Sequence, residues 1–342
     1  MDPRTPTGVN YPFETTDFHG MPYRRFGATG LQTSAIGLGT WKFGYPETGD
    51  GARTDEATAL AIMDRAHALG VTFWDTANRY NNGTGNSERV IGRWFAANPD
   101  KRRDIVVATK VYGGMDGATP NHSGLSRLQI VEGVKACLAR LGLPWVDVLW
   151  FHRFDEVTPV EESLEAVEDL VRQGLVHYLG VSQFSVANLE EYLGAAQKIS
   201  RRVRVAAVQN RYDPIGGEQF PGVLDFCAAE GLAYVPFSPL AQGLLTDRYL
   251  GPAAVGAGDR LVDEGQQVSD RARATVRRVA ALAQAWGHST SELTLAHLLS
   301  LPGMGTQIPS SSTVAQLESN ASAGRLTLTE AQAEEVSDAF AD

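Results

Sequence analysis

Four side chains in this sequence carry acid–base chemistry at positions that one fold can bring together: Asp75, Tyr80, Lys110 and His152. Asp75 ends the apolar run Val71-Thr-Phe-Trp, and Tyr80 follows on a polar stretch that opens into Asn81-Asn82-Gly83. Lys110 ends the run Ile105-Val-Val-Ala-Thr, and His152 ends Val146-Asp-Val-Leu-Trp-Phe. An unperturbed phenol titrates near pH 10. A neighbouring ammonium favours the phenolate and is expected to lower that value, while Asp75 pairs with Lys110 and keeps it charged and aimed. His152 would hydrogen-bond a substrate oxygen and orient it. Such a phenol can give a proton to a developing alkoxide. It supplies no electrons, so a reduction through it needs hydride from a cofactor. Each residue also has a bland reading: Asp75 as a helix cap, Tyr80 packed on it, Lys110 as a solvated strand end, His152 as a core histidine. Their joint placement at successive strand ends favours chemistry.

The elements that must position them alternate along the chain. Residues 23–34 read as a β-hairpin turning at Ala28-Thr29-Gly30, and 36–40 as a short glycine-containing strand. Apolar strands follow over 71–74, 105–110, 146–152, 176–182, 205–210, 233–238 and 305–309. Helical spacing covers 54–68, 87–97, 128–141, 160–173, 186–198, 222–230, 270–286, 291–300, 314–323 and 328–341. Counted from Ile36 there are eight strands, near-continuously apolar as in a parallel sheet buried on both faces. Eight such units in about 300 residues predict a single α/β (β/α)8 TIM barrel. A doubly wound sheet is the rival, but eight strands are many for one and no GxGxxG follows the first. The expected organisation is a flexible tail over 1–20 and a barrel domain over 21–342, with the long stretch 241–267 laid as a loop over the carboxyl-terminal face.

The composition of the 342 residues is 43% hydrophobic and 20% charged, which suits a large core. A net charge of −10 argues against nucleic acid or an anionic membrane as partner. Cys137 and Cys227 are the only cysteines, and both sit in apolar helical patterns, so a disulfide framework is not expected. The first twenty residues lack the apolar segment of a signal peptide, and no apolar run reaches the roughly 20 residues of a membrane helix. A cytoplasmic location is the expectation.

The series Asp75-Thr-Ala…Tyr80 with Gly85…Ser87-Glu88, Val107-Ala-Thr-Lys110, Phe151-His152-Arg-Phe-Asp155, Gly180-Val-Ser182, Val208-Gln-Asn210 and Pro236-Phe-Ser-Pro-Leu-Ala-Gln-Gly243 resembles the aldo-keto reductases. The resemblance runs from about residue 23 to residue 323 and is strong because the motifs fall in family order. It implies a barrel that uses NADP(H), without metal, to reduce an aldehyde or ketone, with Asp75, Tyr80, Lys110 and His152 as the catalytic set. The pattern is closest to branches that include aryl-alcohol dehydrogenases and potassium-channel beta subunits, and Gly124-Leu-Ser-Arg127 adds to that likeness.

The resemblance also implies a cofactor site. Thr40 and Trp41 would line the nicotinamide end, Ser182, Gln183 and Gln209 the carboxamide, with Tyr212 stacked on the ring. Phe237, Ser238, Leu240, Gln242, Arg248 and Arg260 would follow the pyrophosphate. Ser310, Ser312, Gln316 and Asn320 would meet the adenosine end at a helix N-terminus, a natural anion site. Gln183 stands where many members carry asparagine, and Ser319 where many carry an acid. The 310–316 stretch holds no cation for the 2′-phosphate. Hydroxyls and amides can bind that group, so NADPH is favoured and NADH stays open. Trp41, Phe43, Tyr45, Tyr112, Arg153 and Phe154 are the candidate substrate pocket, suited to aryl, aliphatic or sugar-type carbonyls. Two other readings stay open: a cofactor-occupied redox-sensing barrel with little turnover, and a hydrolase or lyase in which Lys110 forms a Schiff base.

Overall fold

Side-chain oxygens placed just before the helices start them where the strands need returning. Asp55 accepts from the Thr58 amide, Ser126 from the Gln129 amide, and Ser289 exchanges bonds with Glu292 in a capping box. Each satisfies an amide that the first helical turn leaves without a partner. The computed structural model describes residues 16–45, 47, 54–199, 203–250, 260–263, 265 and 268–341. Residues 1–15 of the expected tail and 251–259 of the expected mouth loop lie outside them.

The chain opens with β1 (Asp17–Phe18), β2 (Met21–Arg25) and β3 (Gln32–Ser34), an antiparallel sheet. The last residues of the 1–20 stretch therefore pair with β2. The alternation then runs β4 (Leu38–Gly39), α1 (Glu56–Ala68), β5 (Phe73–Asp75), a distorted turn α2 (Tyr80–Gly83), α3 (Asn86–Ala97), β6 (Val106–Val111), α4 (Arg127–Leu141), β7 (Val146–Phe151), α5 (Val160–Arg172), β8 (Val176–Ser182), α6 (Val186–Ile199) and β9 (Val205–Gln209). A hairpin that the apolar pattern does not predict, β10 (Tyr212–Asp213) with β11 (Gly217–Glu218), precedes α7 (Val223–Glu230) and β12 (Ala233–Tyr234). Helices α8 (Arg260–Asp263), α9 (Asp270–Ala285), α10 (Thr290–Ser300), α11 (Val314–Ala323) and α12 (Glu330–Ala341) complete it. Among the described residues no helix is long and apolar enough to cross a membrane.

The parallel sheet follows the order β12-β9-β8-β7-β6-β5-β4, and single bridges close it into a (β/α)8 barrel. Met304 bridges to Tyr234 on one side, while Gln307 and Ser310 bridge to Ile36 and Gly39 on the other. The eighth strand expected over 305–309 is thus a thin seam rather than a regular strand. Pro309 removes a donor from it. The strand expected over 233–238 likewise stops at Tyr234, because Pro236 lacks an amide proton and Ser238 takes a left-handed φ of 56°.

Side chains two apart on a strand share a face. Phe73, Ala108, Val148, Trp150, Ala207, Val235 and Ile308 fill the barrel, joined from below by Phe26 of the amino-terminal sheet. Asp75, Lys110 and His152 have the same parity as Phe73, Ala108 and Trp150 and so rise from that core at its carboxyl-terminal end. Gly27 lets the chain place Phe26 there. Its φ is +62°, and a Cβ would overlap the Ala206 carbonyl. Phe26 is fully buried and stacks edge-on to Trp150 at 6.0 Å. Phe26→Ala is expected to cost about 3–5 kcal/mol by emptying the barrel floor, measured as a lowered midpoint of denaturant unfolding.

Candidate active site

Lys110 is 1% exposed at the end of β6, and its ammonium spends all three protons locally. It donates to Asp75 Oδ1, to the Thr76 carbonyl at 2.9 Å and to the Tyr80 hydroxyl at 2.9 Å. An ammonium cannot accept, so the Tyr80 oxygen must accept from it. The phenol proton is thereby turned away from Lys110, toward the cavity that Tyr80 shares with His152. The other Asp75 oxygen accepts from Gln209 Nε2 at 2.9 Å, which occupies the whole carboxylate. The rings of Tyr80 and His152 meet at 79° with centroids 6.2 Å apart.

Burial alone would lower the Lys110 ammonium, but Asp75 and Tyr80 more than offset this and hold it above its ordinary value. Burial pushes the Tyr80 phenol up, and the lowering by Lys110 does not compensate. The expected depression of the phenol is therefore corrected: loss of water around the phenolate outweighs the adjacent cation. Burial, reinforced by the Lys110 and Arg79 charges, brings the His152 imidazole down to about 3. At neutral pH the site thus holds a neutral imidazole and a protonated phenol. Both can donate to a carbonyl oxygen.

The loop carrying Tyr80 is held rigidly. Asn81 is buried with a left-handed φ of 63°, and its side-chain oxygen accepts from the Tyr45 amide at 2.9 Å and from Asn86 Nδ2 at 3.0 Å. Behind it the Thr40 hydroxyl donates to the Asp75 carbonyl and lies 3.0 Å from Ser87 Oγ. Buried Glu88 accepts from Thr109 and from Arg140, which also grips Asp116.

Two contiguous cavities meet above this set. One, of about 600 Å³, is lined by Asp75, Tyr80, His152, Thr40, Ser182, Gln183, Gln209 and Phe237, and also by Tyr112 and Arg153. The other, of about 420 Å³, extends past Leu240, Gln242 and Arg248 to Ser312, Gln316 and Asn320. Trp41, Ser238, Arg260 and Ser310 line both. Arg260 lies over the Trp41 ring at 4.5 Å and donates to Ser238 Oγ at 3.2 Å. Eight described non-glycine residues have left-handed φ, and five of them, Asn81, Asn82, Gln183, Ser238 and Gln242, line these cavities. Strain of about 1–3 kcal/mol per residue is concentrated where a ligand would be clamped.

Not every candidate reaches the cavities. Tyr212 sits in the β10–β11 hairpin with its ring edge-on to Tyr234 at 6.1 Å and lines neither cavity. Phe43 is wholly buried and bridged to Thr54. Tyr45 bonds Glu56, and Phe154 packs on Phe184 at 5.3 Å. Gln183 donates to the His152 carbonyl at 3.1 Å. Conversely, Arg79, Lys42, Ser289 and Ser291 line the cavities without having been singled out from sequence. Arg79 adjoins Tyr80 in the chain, so adjacency was an available signal. Ser289 and Ser291 offered none, since only the packing of α10 beside α11 brings them near Ser319, whose hydroxyl lies 3.0 Å from Ser289 and 3.2 Å from Ser291.

Comparison with known proteins accords with this geometry. The model of the Aldo/keto reductase family matches residues 35–340. A putative voltage-gated potassium channel subunit beta of Schizosaccharomyces pombe is 33% identical over 90% of each chain. An uncharacterized oxidoreductase of Bacillus subtilis, YrpG, is 33% identical over 90% of this chain and 92% of its own. Versiconal hemiacetal acetate reductase of Aspergillus parasiticus is 30% identical over 82% of this chain and 86% of its own. With a barrel closed by the 304–310 seam and a Lys110-centred site at its mouth, the chain belongs to the aldo/keto reductase family.

Proposed function

We propose that this chain is an NADP(H)-dependent reductase of aldehydes or ketones. The observation that carries the reading is the Lys110 ammonium, whose bonds to Asp75, Thr76 and Tyr80 leave the phenol proton facing the cavity beside His152. The second cavity, contiguous with the first through Trp41, Ser238, Arg260 and Ser310, suits a dinucleotide. It combines Arg248 and Arg260, the first turn of α11 with its Thr313 cap, and hydroxyls from Ser310 and Ser312. Cations and helix N-termini both favour phosphate groups. Ser182 and Gln183 would hold the carboxamide end, Trp41 and Phe237 the ring, and Ser312 with Gln316 the 2′-phosphate. The bound nicotinamide would supply the hydride.

The residues then have distinct tasks. His152, neutral, donates a hydrogen bond to the substrate oxygen and turns its carbonyl carbon toward the cofactor end. Tyr80 donates the same way and transfers its proton as negative charge develops on that oxygen. Lys110 stabilises the resulting phenolate, and Asp75 with Gln209 keeps Lys110 in place. The matching of donors to a charge that grows only in the transition state is the source of acceleration.

Quenching of tryptophan fluorescence tests the cofactor, with NADPH and NADH titrated in parallel. NADPH is expected to bind the more tightly, and Arg260→Ala to weaken it about 10-fold or more through loss of a charged contact. Absence of binding by either nucleotide would overturn the reading.

A further inference from the structure

The cavity around Tyr80 and His152 carries two exposed arginines besides Arg260 on its lining. Arg79 and Arg153 both line it, one adjoining Tyr80 and the other adjoining His152. Asp75 is the sole carboxylate among the lining residues, and Lys110 and Gln209 already occupy its two oxygens. Among the described residues, neither arginine has an ion pair or a hydrogen bond from its guanidinium. The chain has 40 acidic against 30 basic side chains, so a pair of arginines without an acid runs against its composition.

Arg79 packs against backbone that carries no side chain. Its stem crosses Gly113, where an added Cβ would overlap its Cδ and come within 3.0 Å of Nη1. On the other side it passes Gly83, whose added Cβ would stand 3.8 Å from Nε. Only the Gly113 position is too close for a side chain, so the exposed Arg79 stem rests against that glycine. The turn that starts at Tyr80 is fixed by Asn81, as described above, so Arg79 and the phenol keep their relation. Its charge also reaches the reaction centre, since it helps hold the His152 imidazole neutral.

Resting on the carbonyl reductase reading, we propose that Arg79, together with Arg153 on the lining of the same cavity, selects carbonyl substrates that carry an oxoanion, a carboxylate or a phosphate, distal to the reacting carbon. Guanidinium groups match both oxoanions with paired N–H donors. Arg248 lines only the second cavity and Arg260 lines both, whereas Arg79 and Arg153, which follow β5 and β7, line only the cavity of Tyr80 and His152.

The test compares 4-carboxybenzaldehyde with methyl 4-formylbenzoate, which share a ring and an aldehyde and differ in charge, using the purified full chain and NADPH. The acid is expected to have a kcat/KM about 10-fold or more above the ester, mainly through KM, with the advantage shrinking as salt is added. R79Q should reduce that ratio about 10-fold, and R79K should restore part of it. Glyceraldehyde 3-phosphate against glyceraldehyde, and both against the carboxylate pair, shows which oxoanion fits better. Equal use of the acid and the ester overturns the proposal and leaves the reductase reading standing. A preference that survives in R79Q and in R153Q assigns it elsewhere and overturns it too. If no aldehyde is reduced, the reductase reading falls instead. Calorimetry with 4-(hydroxymethyl)benzoate and its neutral amide then decides the anion site alone: a 10-fold tighter anion supports it, and equal affinities remove it.

Discussion

Tyr80→Phe lowers kcat/KM for carbonyl reduction by about 10²–10⁴-fold, the range over which a positioned acid contributes. The substitution removes one oxygen and little volume, so the cavity keeps its shape. Lys110 loses one of its three acceptors but retains Asp75 and the Thr76 carbonyl. The wild-type pH profile carries the same assignment. Burial holds the phenol above its ordinary value and brings His152 to about 3. Reduction requires the protonated phenol, so activity is full below the phenol pKa and falls as pH rises through it. Across about pH 5–8, where an ordinary histidine would titrate, the rate of reduction stays level. An inflection near pH 6.5 that disappeared in His152→Gln would assign the proton to the imidazole and remove Tyr80 from that role. A Tyr80→Phe enzyme within threefold of wild type would do the same.

Lys110→Met has the second large effect, and it acts on stability as well as turnover. Asp75 is 1% exposed, and its carboxylate would be left in the barrel with only Gln209 as partner. Removing one member of a buried ion pair costs about 3–5 kcal/mol, much of it the penalty of the charge left behind. The double variant D75N/K110M removes both charges and is expected to recover much of the stability lost in K110M, as read by denaturant unfolding. Its activity stays low, because Tyr80 then has no cation to stabilise the phenolate. Equal stability losses in the single and double variants would mean that Asp75 is hydrated or neutral without Lys110, and that the pair does not hold the site in the way described.

The barrel was legible because a parallel sheet covered on both faces demands unbroken apolar strands, and the runs at Ile105, Val146, Val176 and Val205 have that character. The helices expected from 128 and 291 begin one residue earlier, at Arg127 and Thr290, because the hydroxyls of Ser126 and Ser289 cap their first turns. The seam at 304–310 was overestimated as a strand. Residue types mark β propensity, but Pro309 and the closing geometry limit the pairing to single bridges. The structure brings the candidate four to one mouth. They followed from position, Asp75, Lys110 and His152 at strand ends and Tyr80 on the loop after the first of them. The fate of the aromatics did not. Phe43, Tyr45, Phe154 and Tyr212 look as suitable for a pocket as Trp41 and Tyr112, and only the direction of each ring separates them.

By itself, then, the sequence determined which groups stand at the strand ends and that alternate residues carry them upward from a packed core. Those are consequences of period and hydrophobicity, which are local properties. Tertiary structure decided the rest. It set the balance between burial and the Lys110 charge at Tyr80, since desolvation depends on everything within several ångströms of the phenol. It brought Ser289, the cap of α10, and Ser291 within that helix to Ser319 of α11, a contact that no spacing encodes. It also laid Arg79 across Gly113, on the loops that follow β5 and β6, two strands far apart in sequence that meet because they pair in the sheet.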